Sequence, residues 1–184
     1  MTSNKKLELE LQELFKQKEY SKVVFEITSQ TNEQERSAFL FNLLGLSRVG
    51  NNKKNIDVLN LATKDFKSGY LKEKNTNHAL DSLANFITTS VLLIDLEKNY
   101  KFDFTEILEF YKSSEKFCSN HKIIHLAMAM VYRRLNDSER LIFHFDKIIK
   151  SKNFNADDLC NYGYWRCFSK EWSQADFLNY GSFV

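Results

Sequence analysis

Not one proline interrupts the 184 residues of this chain, and glycine occurs only five times. Sheet-rich folds need both residues often, because short strands are joined by turns with a fixed or a positive φ. A chain nearly free of them covers its length with helices. Hydrophobic residues make up 43% of the sequence, enough for a folded core, and 184 residues suit one domain better than two.

Apolar residues at helical spacing divide the chain into five pairs of segments. Leu7, Leu11, Leu14 and Phe15 mark one face, and after Lys16–Glu19 a second follows with Tyr20, Val23, Val24 and Ile27. A second pair has Phe41, Leu44 and Leu46, then Ile56, Leu59, Ala62 and Phe66, with Gly50-Asn-Asn read as a helix C-terminus holding a left-handed residue. The third pair is longer, Leu80 to Ile94 and then Phe104 to Phe117 across a polar turn near Glu97. The fourth sets Ile123–Val131 against Leu141–Ile149, with Asp137 as an N-cap. The fifth joins Leu159–Phe168 to Trp172, Ala175, Leu178 and Phe183, its last helix expected from Ser173 to about Gly181. The units run approximately over 4–32, 35–68, 76–118, 120–152 and 155–184, all within one all-α domain of about five antiparallel hairpins.

A repeat lies in the first helix of each pair. Phe41-x-x-Leu44-Gly45, Leu80-x-x-Leu83-Ala84, His125-x-x-Met128-Ala129 and Leu159-x-x-Tyr162-Gly163 share one pattern, large residues followed by a small one, with Leu11 in the small slot of the first pair. The anchors are separated by 34, 39, 45 and 34 residues. In the fifth unit Trp172 and Ala175 follow Gly163 by nine and twelve residues, and Tyr20 and Val23 follow Leu11 likewise. This resembles the tetratricopeptide repeat family, whose period is near 34 residues. It departs from that family in lacking the closing proline and in placing Leu11 at a small position. The resemblance implies a right-handed α-solenoid in which small residues let paired helices approach, so Gly45, Ala84, Ala129 and Gly163 are expected at close helix contacts. It also implies a partner groove lined by the first helices, with Asn42, Leu46, Met130, Arg133, Tyr164 and Phe168 as the groove residues and Gln12 near them.

The residues that carry chemistry elsewhere are sparse. His121 and His125 have the i, i+4 spacing of a helical zinc site, but Lys-Ile-Ile between them supplies no general base and no third ligand is indicated, so no metal site is read. His144 and His78 have no partner visible in the sequence. Cys118, Cys160 and Cys167 form no CxxC motif and are expected as buried, reduced thiols. Without a phosphate loop or nucleophile elbow, no catalysis and no cofactor are expected.

Lys and Arg total 26 against 24 Asp and Glu, interleaved along the chain, so there is no basic field for nucleic acid. The basic cluster of Arg133-Arg134, with Arg140, Lys147, Lys150 and Lys152 nearby, is read as solvated helix ends, with contact to an acidic peptide or a phosphate as the alternative. The longest aliphatic run, Val91–Ile94, is far shorter than a membrane span, and Met1–Glu8 has no apolar secretory core, which points to the cytoplasm of a bacterial-type cell. Aromatic residues crowd 162–184, where Trp165 and Phe183 form an expected association surface for a homodimer or a partner. The expected function is a non-enzymatic scaffold for a protein or peptide. Two alternatives stand beside it, a regulatory repeat domain preceding a glycosyl- or sulfotransferase domain, and a structural homodimer.

Overall fold

The computed structural model describes residues 3–74, 76–97, 103–151 and 154–168, with side chains within those stretches from residue 5 to residue 164. Among them are nine α-helices, one 3₁₀ turn at Glu33–Glu35 and no strand. The final helix expected at 173–181, the side chains of Trp165, Cys167 and Phe168, and Phe183 lie outside the described residues. The chain groups into two compact units, Met1–Phe117 and Cys118–Val184.

The first unit begins with α1 (Ser3–Lys16), α2 (Tyr20–Gln30), α3 (Ala38–Asn51) and α4 (Ile56–Lys72). Leu11, Val23, Ile27, Leu40, Leu43 and Leu44 form a buried cluster joining α1, α2 and α3. Each such side chain removed from water stabilises by roughly 1.5–3 kcal/mol. The turn between α1 and α2 closes through Lys18 in the left-handed region, φ 62°, with the N–H of Glu19 donating to Leu14 O at 3.0 Å. That is the Schellman arrangement that satisfies a helix's last carbonyls.

The longest helix is α5 (Asn77–Leu96), packed along α3 and α4, and α6 (Thr105–Cys118) follows it. Among the described residues, α5 is the one helix long and apolar enough, by length and composition only, to cross a membrane. The short aliphatic run gave no sign of this. Its environment is a protein core: Leu80, Leu83, Ala84, Phe86, Ile87 and Val91 are buried, together with Ser82, Thr89 and Ser90. Ser90 Oγ donates to Phe86 O at 2.8 Å, one turn back, which removes an unpaired hydroxyl from the interior.

Three glycines of this unit lie at close contacts, and none has positive φ. A Cβ on Gly45 would meet the Phe66 ring at 2.5 Å, so the small residue seats α4 on α3. Gly69 is bounded by Ser82 of α5 and Phe41 of α3. α3 ends at Asn51 with Asn52 as its C-cap, within the Gly50-Asn-Asn stretch expected to end it, but without the expected left-handed residue: Gly50 is the penultimate helical residue, and its missing side chain makes room for the ring of Tyr20. α4 also extends past Phe66 to bury Tyr70, whose hydroxyl lies 2.8 and 2.7 Å from Ser113 Oγ and Ser114 Oγ of α6.

The second unit holds α7 (Lys122–Arg134), α8 (Ser138–Lys150) and α9 (Ala156–Phe168). α8 packs on both neighbours. Asn136, φ 58°, supplies the left-handed residue between α7 and α8, and Asp137 Oδ1 accepts from Arg140 N at 3.0 Å as the N-cap. The start of α9 is a reciprocal capping box: Asn155 Oδ1 accepts from Asp158 N at 2.9 Å, and Asp158 Oδ2 accepts from Asn155 N at 2.8 Å. Gly163 departs from expectation, since a Cβ there meets nothing within 4 Å among the described residues. The aromatic expected beside it, Trp172, lies outside them.

Candidate binding surface

A concavity of about 430 Å³ opens in the second unit. Helical spacing puts Leu126, Ala129, Met130 and Arg133 of α7 on one face, at i, i+3, i+4 and i+7. Leu141 and Phe145 of α8, both buried, lie beneath, and Asp158 and Asn161 of α9 complete the lining. Asp158 is only 5% exposed, and Lys122 Nζ lies 2.6 Å from its Oδ2. Held by that ammonium and by the N–H of Asn155, the carboxylate is neutralised inside the protein. Met130 and Arg133 are exposed, as is Tyr164, one helical turn past Asn161.

The structure thus brings together two of the groove residues named from sequence, Met130 and Arg133, and leaves Tyr164 beside the lining. Asn42 and Leu46 belong to the first unit, where both are half-buried on α3. Asn42 Oδ1 accepts from Asn85 Nδ2 of α5 at 2.9 Å, a pairing across 43 positions with no local signal. Gln12 is exposed on α1. Asp158 and Asn161 escaped notice, although the Asn155-x-x-Asp158 box marks the start of α9 and fixes their face. A larger hollow of the first unit, about 780 Å³ beside Asn32–Glu35 and the end of α4, is a more open depression. Comparison with family models, with curated proteins and with solved structures finds no match to this chain.

Two histidines that the sequence left apart meet in the second unit. His144 and His125 place their Nδ1 atoms 3.0 Å from each other, both buried. His125 Nε2 faces the carbonyl of Ser119 at 3.3 Å, and a carbonyl only accepts, so Nε2 carries the proton. Neutral His125 then offers a bare Nδ1, and the Nδ1–H of His144 donates to it. Burial pushes the pKa of His144 down to about 3, helped by His125 and Lys147. That of His125 is also lowered, first by burial, with the Ser119 carbonyl opposing and Lys147 and His121 adding to the fall. Both rings are thus buried and bonded to each other through their Nδ1 atoms. His78 has a partner too, the Phe39 ring, edge-on at 5.3 Å.

His121 spends its Nδ1 as the N-cap of α7, accepting from Ile124 N at 3.4 Å. Among the described residues no three His, Cys, Asp or Glu side chains are grouped to hold one metal ion. Cys118 is buried as expected of a structural thiol, whereas Cys160 is exposed, because it falls on the outer side of α9.

Proposed function

We propose that this chain is a non-enzymatic scaffold of the tetratricopeptide kind, a right-handed series of helix hairpins that binds a protein or peptide in the cytoplasm. The observation that carries the reading is the concavity where α7 and α9 meet over α8: it is apolar at its floor and sides, polar at its edge, and sized for a few side chains. It lies on the first helices of successive hairpins, where the repeat pattern puts a partner groove. The neutral, buried histidine pair supports a structural use of the residues closest to catalytic chemistry.

The test is a photo-crosslinking amino acid placed at Met130 in living cells, with a control at Lys53 in the exposed turn between α3 and α4. A protein adduct specific to position 130, identified by mass spectrometry, is the expected result. No protein adduct at that position, with a metabolite co-purifying instead, would remove the proposal.

A further inference from the structure

The first unit has a hollow of its own between α4, α5 and the start of α6, about 360 Å³ in volume. That is within the range of small-molecule sites, about 300–1,000 Å³. Two helical stripes face it. Asn60, Thr63, Lys64 and Lys67 of α4 stand at i, i+3, i+4 and i+7, and Phe86, Ser90, Leu93 and Glu97 of α5 at i, i+4, i+7 and i+11. Phe86 and Leu93 are buried and make an apolar floor. At one end Lys67 Nζ lies 2.5 Å from Glu106 of α6, so those two charges are spent on each other.

The remaining polar groups divide by chemistry. Lys64 and Glu97 make no ion pair with each other or with any other of the described residues, so one hollow has a positive pole on α4 and a negative pole at the end of α5. The side-chain amide of Asn60 is also without a partner among the described residues. Thr63 Oγ1 donates to Leu59 O and Ser90 Oγ to Phe86 O, both at 2.8 Å, which leaves each hydroxyl only lone pairs to offer. With two lysines balanced by two glutamates, the lining has no net charge, so a bare anion would meet Glu97 and a bare cation would meet Lys64. We propose that this hollow binds a free α-amino acid with an apolar side chain. Its carboxylate is held by Lys64 and the Asn60 amide, its ammonium by Glu97 and the hydroxyl lone pairs, and its side chain lies on Phe86 and Leu93. Inside a peptide the same residue carries neither charge, so the site is separate from the peptide surface of the second unit.

The test is calorimetric titration of the full chain with leucine, with N-acetylleucine, which lacks the ammonium, and with leucine amide, which lacks the carboxylate. Leucine should bind saturably within about 10 mM, and each derivative should bind about tenfold more weakly, as expected when one charge-assisted contact is lost. Lys64→Gln should weaken leucine about tenfold and abolish the discrimination against the amide, and Glu97→Gln should do the same for the N-acetyl derivative. Lys64 is exposed and Glu97 half-buried, and thermal melts matching the parent will show that both variants fold. Amide shifts in the ¹⁵N-labelled chain should fall on residues 60–67 and 86–97. No saturation by leucine in that range, equal binding of the two derivatives and leucine, variants that bind leucine as the parent does, or shifts confined to the second unit would overturn the inference.

Discussion

Acid should destabilise the second unit through its histidine pair. A group whose folded pKa is depressed contributes stability that is complete above its unfolded pKa and is lost as pH falls toward the folded value. For His144 that window opens near 6.5, the ordinary histidine value, and extends down to about 3. Within it the unfolded chain binds a proton that the native state refuses, so stability falls by about 1.4 kcal/mol per pH unit. Between pH 6.5 and 5 the loss from His144 alone is about 2 kcal/mol, a large share of the 5–15 kcal/mol that holds a typical domain folded. His125, shifted in the same direction, adds to it. Asp65, whose pKa is raised by burial against the opposing pull of Arg48, works with the opposite sign: its contribution is complete below 3.8 and is lost as pH rises through its folded value. Denaturant unfolding followed by far-UV circular dichroism at pH 7 and pH 5 measures the effect. His144→Phe, which keeps a ring against Tyr132, should lessen the pH dependence by about one proton. Equal stability at the two pH values, or a dependence unchanged in His144→Phe, would refute the neutral-pair reasoning.

Two glycines in the same repeat slot should respond with opposite signs. Gly45→Ala places a methyl 2.5 Å from the Phe66 ring and should cost about 1–3 kcal/mol, whereas Gly163→Ala meets nothing within 4 Å among the described residues and should gain about 0.5–1 kcal/mol from helix propensity, both read as shifts in thermal unfolding. Lys18 occupies the left-handed region, so Lys18→Gly should stabilise the chain by about 1 kcal/mol in denaturant melts. Ser82 Oγ is fully buried and has no hydrogen-bond partner among the described residues, so Ser82→Ala should stabilise by about 1 kcal/mol, and a destabilised variant would show that the hydroxyl is satisfied.

What the sequence reveals here is what depends on neighbours three or four positions away. The runs Leu7–Phe15, Leu80–Ile94 and Leu141–Ile149 correspond to α1, α5 and α8, because one buried stripe per helix is a local periodicity. Asp137 could be read as a cap for the same reason, and the Asn155–Asp158 box was equally available. Gly50-Asn-Asn marks the end of α3 for the same local reason, but the contact that Gly50 makes with Tyr20, thirty residues earlier, has no local signal. The site is less legible than the fold. Met130 and Arg133 follow from the face of α7, but the neutralisation of Asp158 by Lys122, the Asn42–Asn85 bond and the His125–His144 pair join residues 36, 43 and 19 positions apart, and only tertiary packing brings them together.

The central claim, that the chain works by holding a peptide on the first helices of its hairpins, is tested most directly by amide shift mapping. In a ¹⁵N-labelled full chain titrated with a synthetic peptide of the protein segment crosslinked at position 130, the backbone amides of Leu126–Arg133 and Asp158–Asn161 should shift in a saturable way, with those of α1 and α2 unmoved. Shifts confined to α1 and α2, or none up to millimolar peptide, would contradict it.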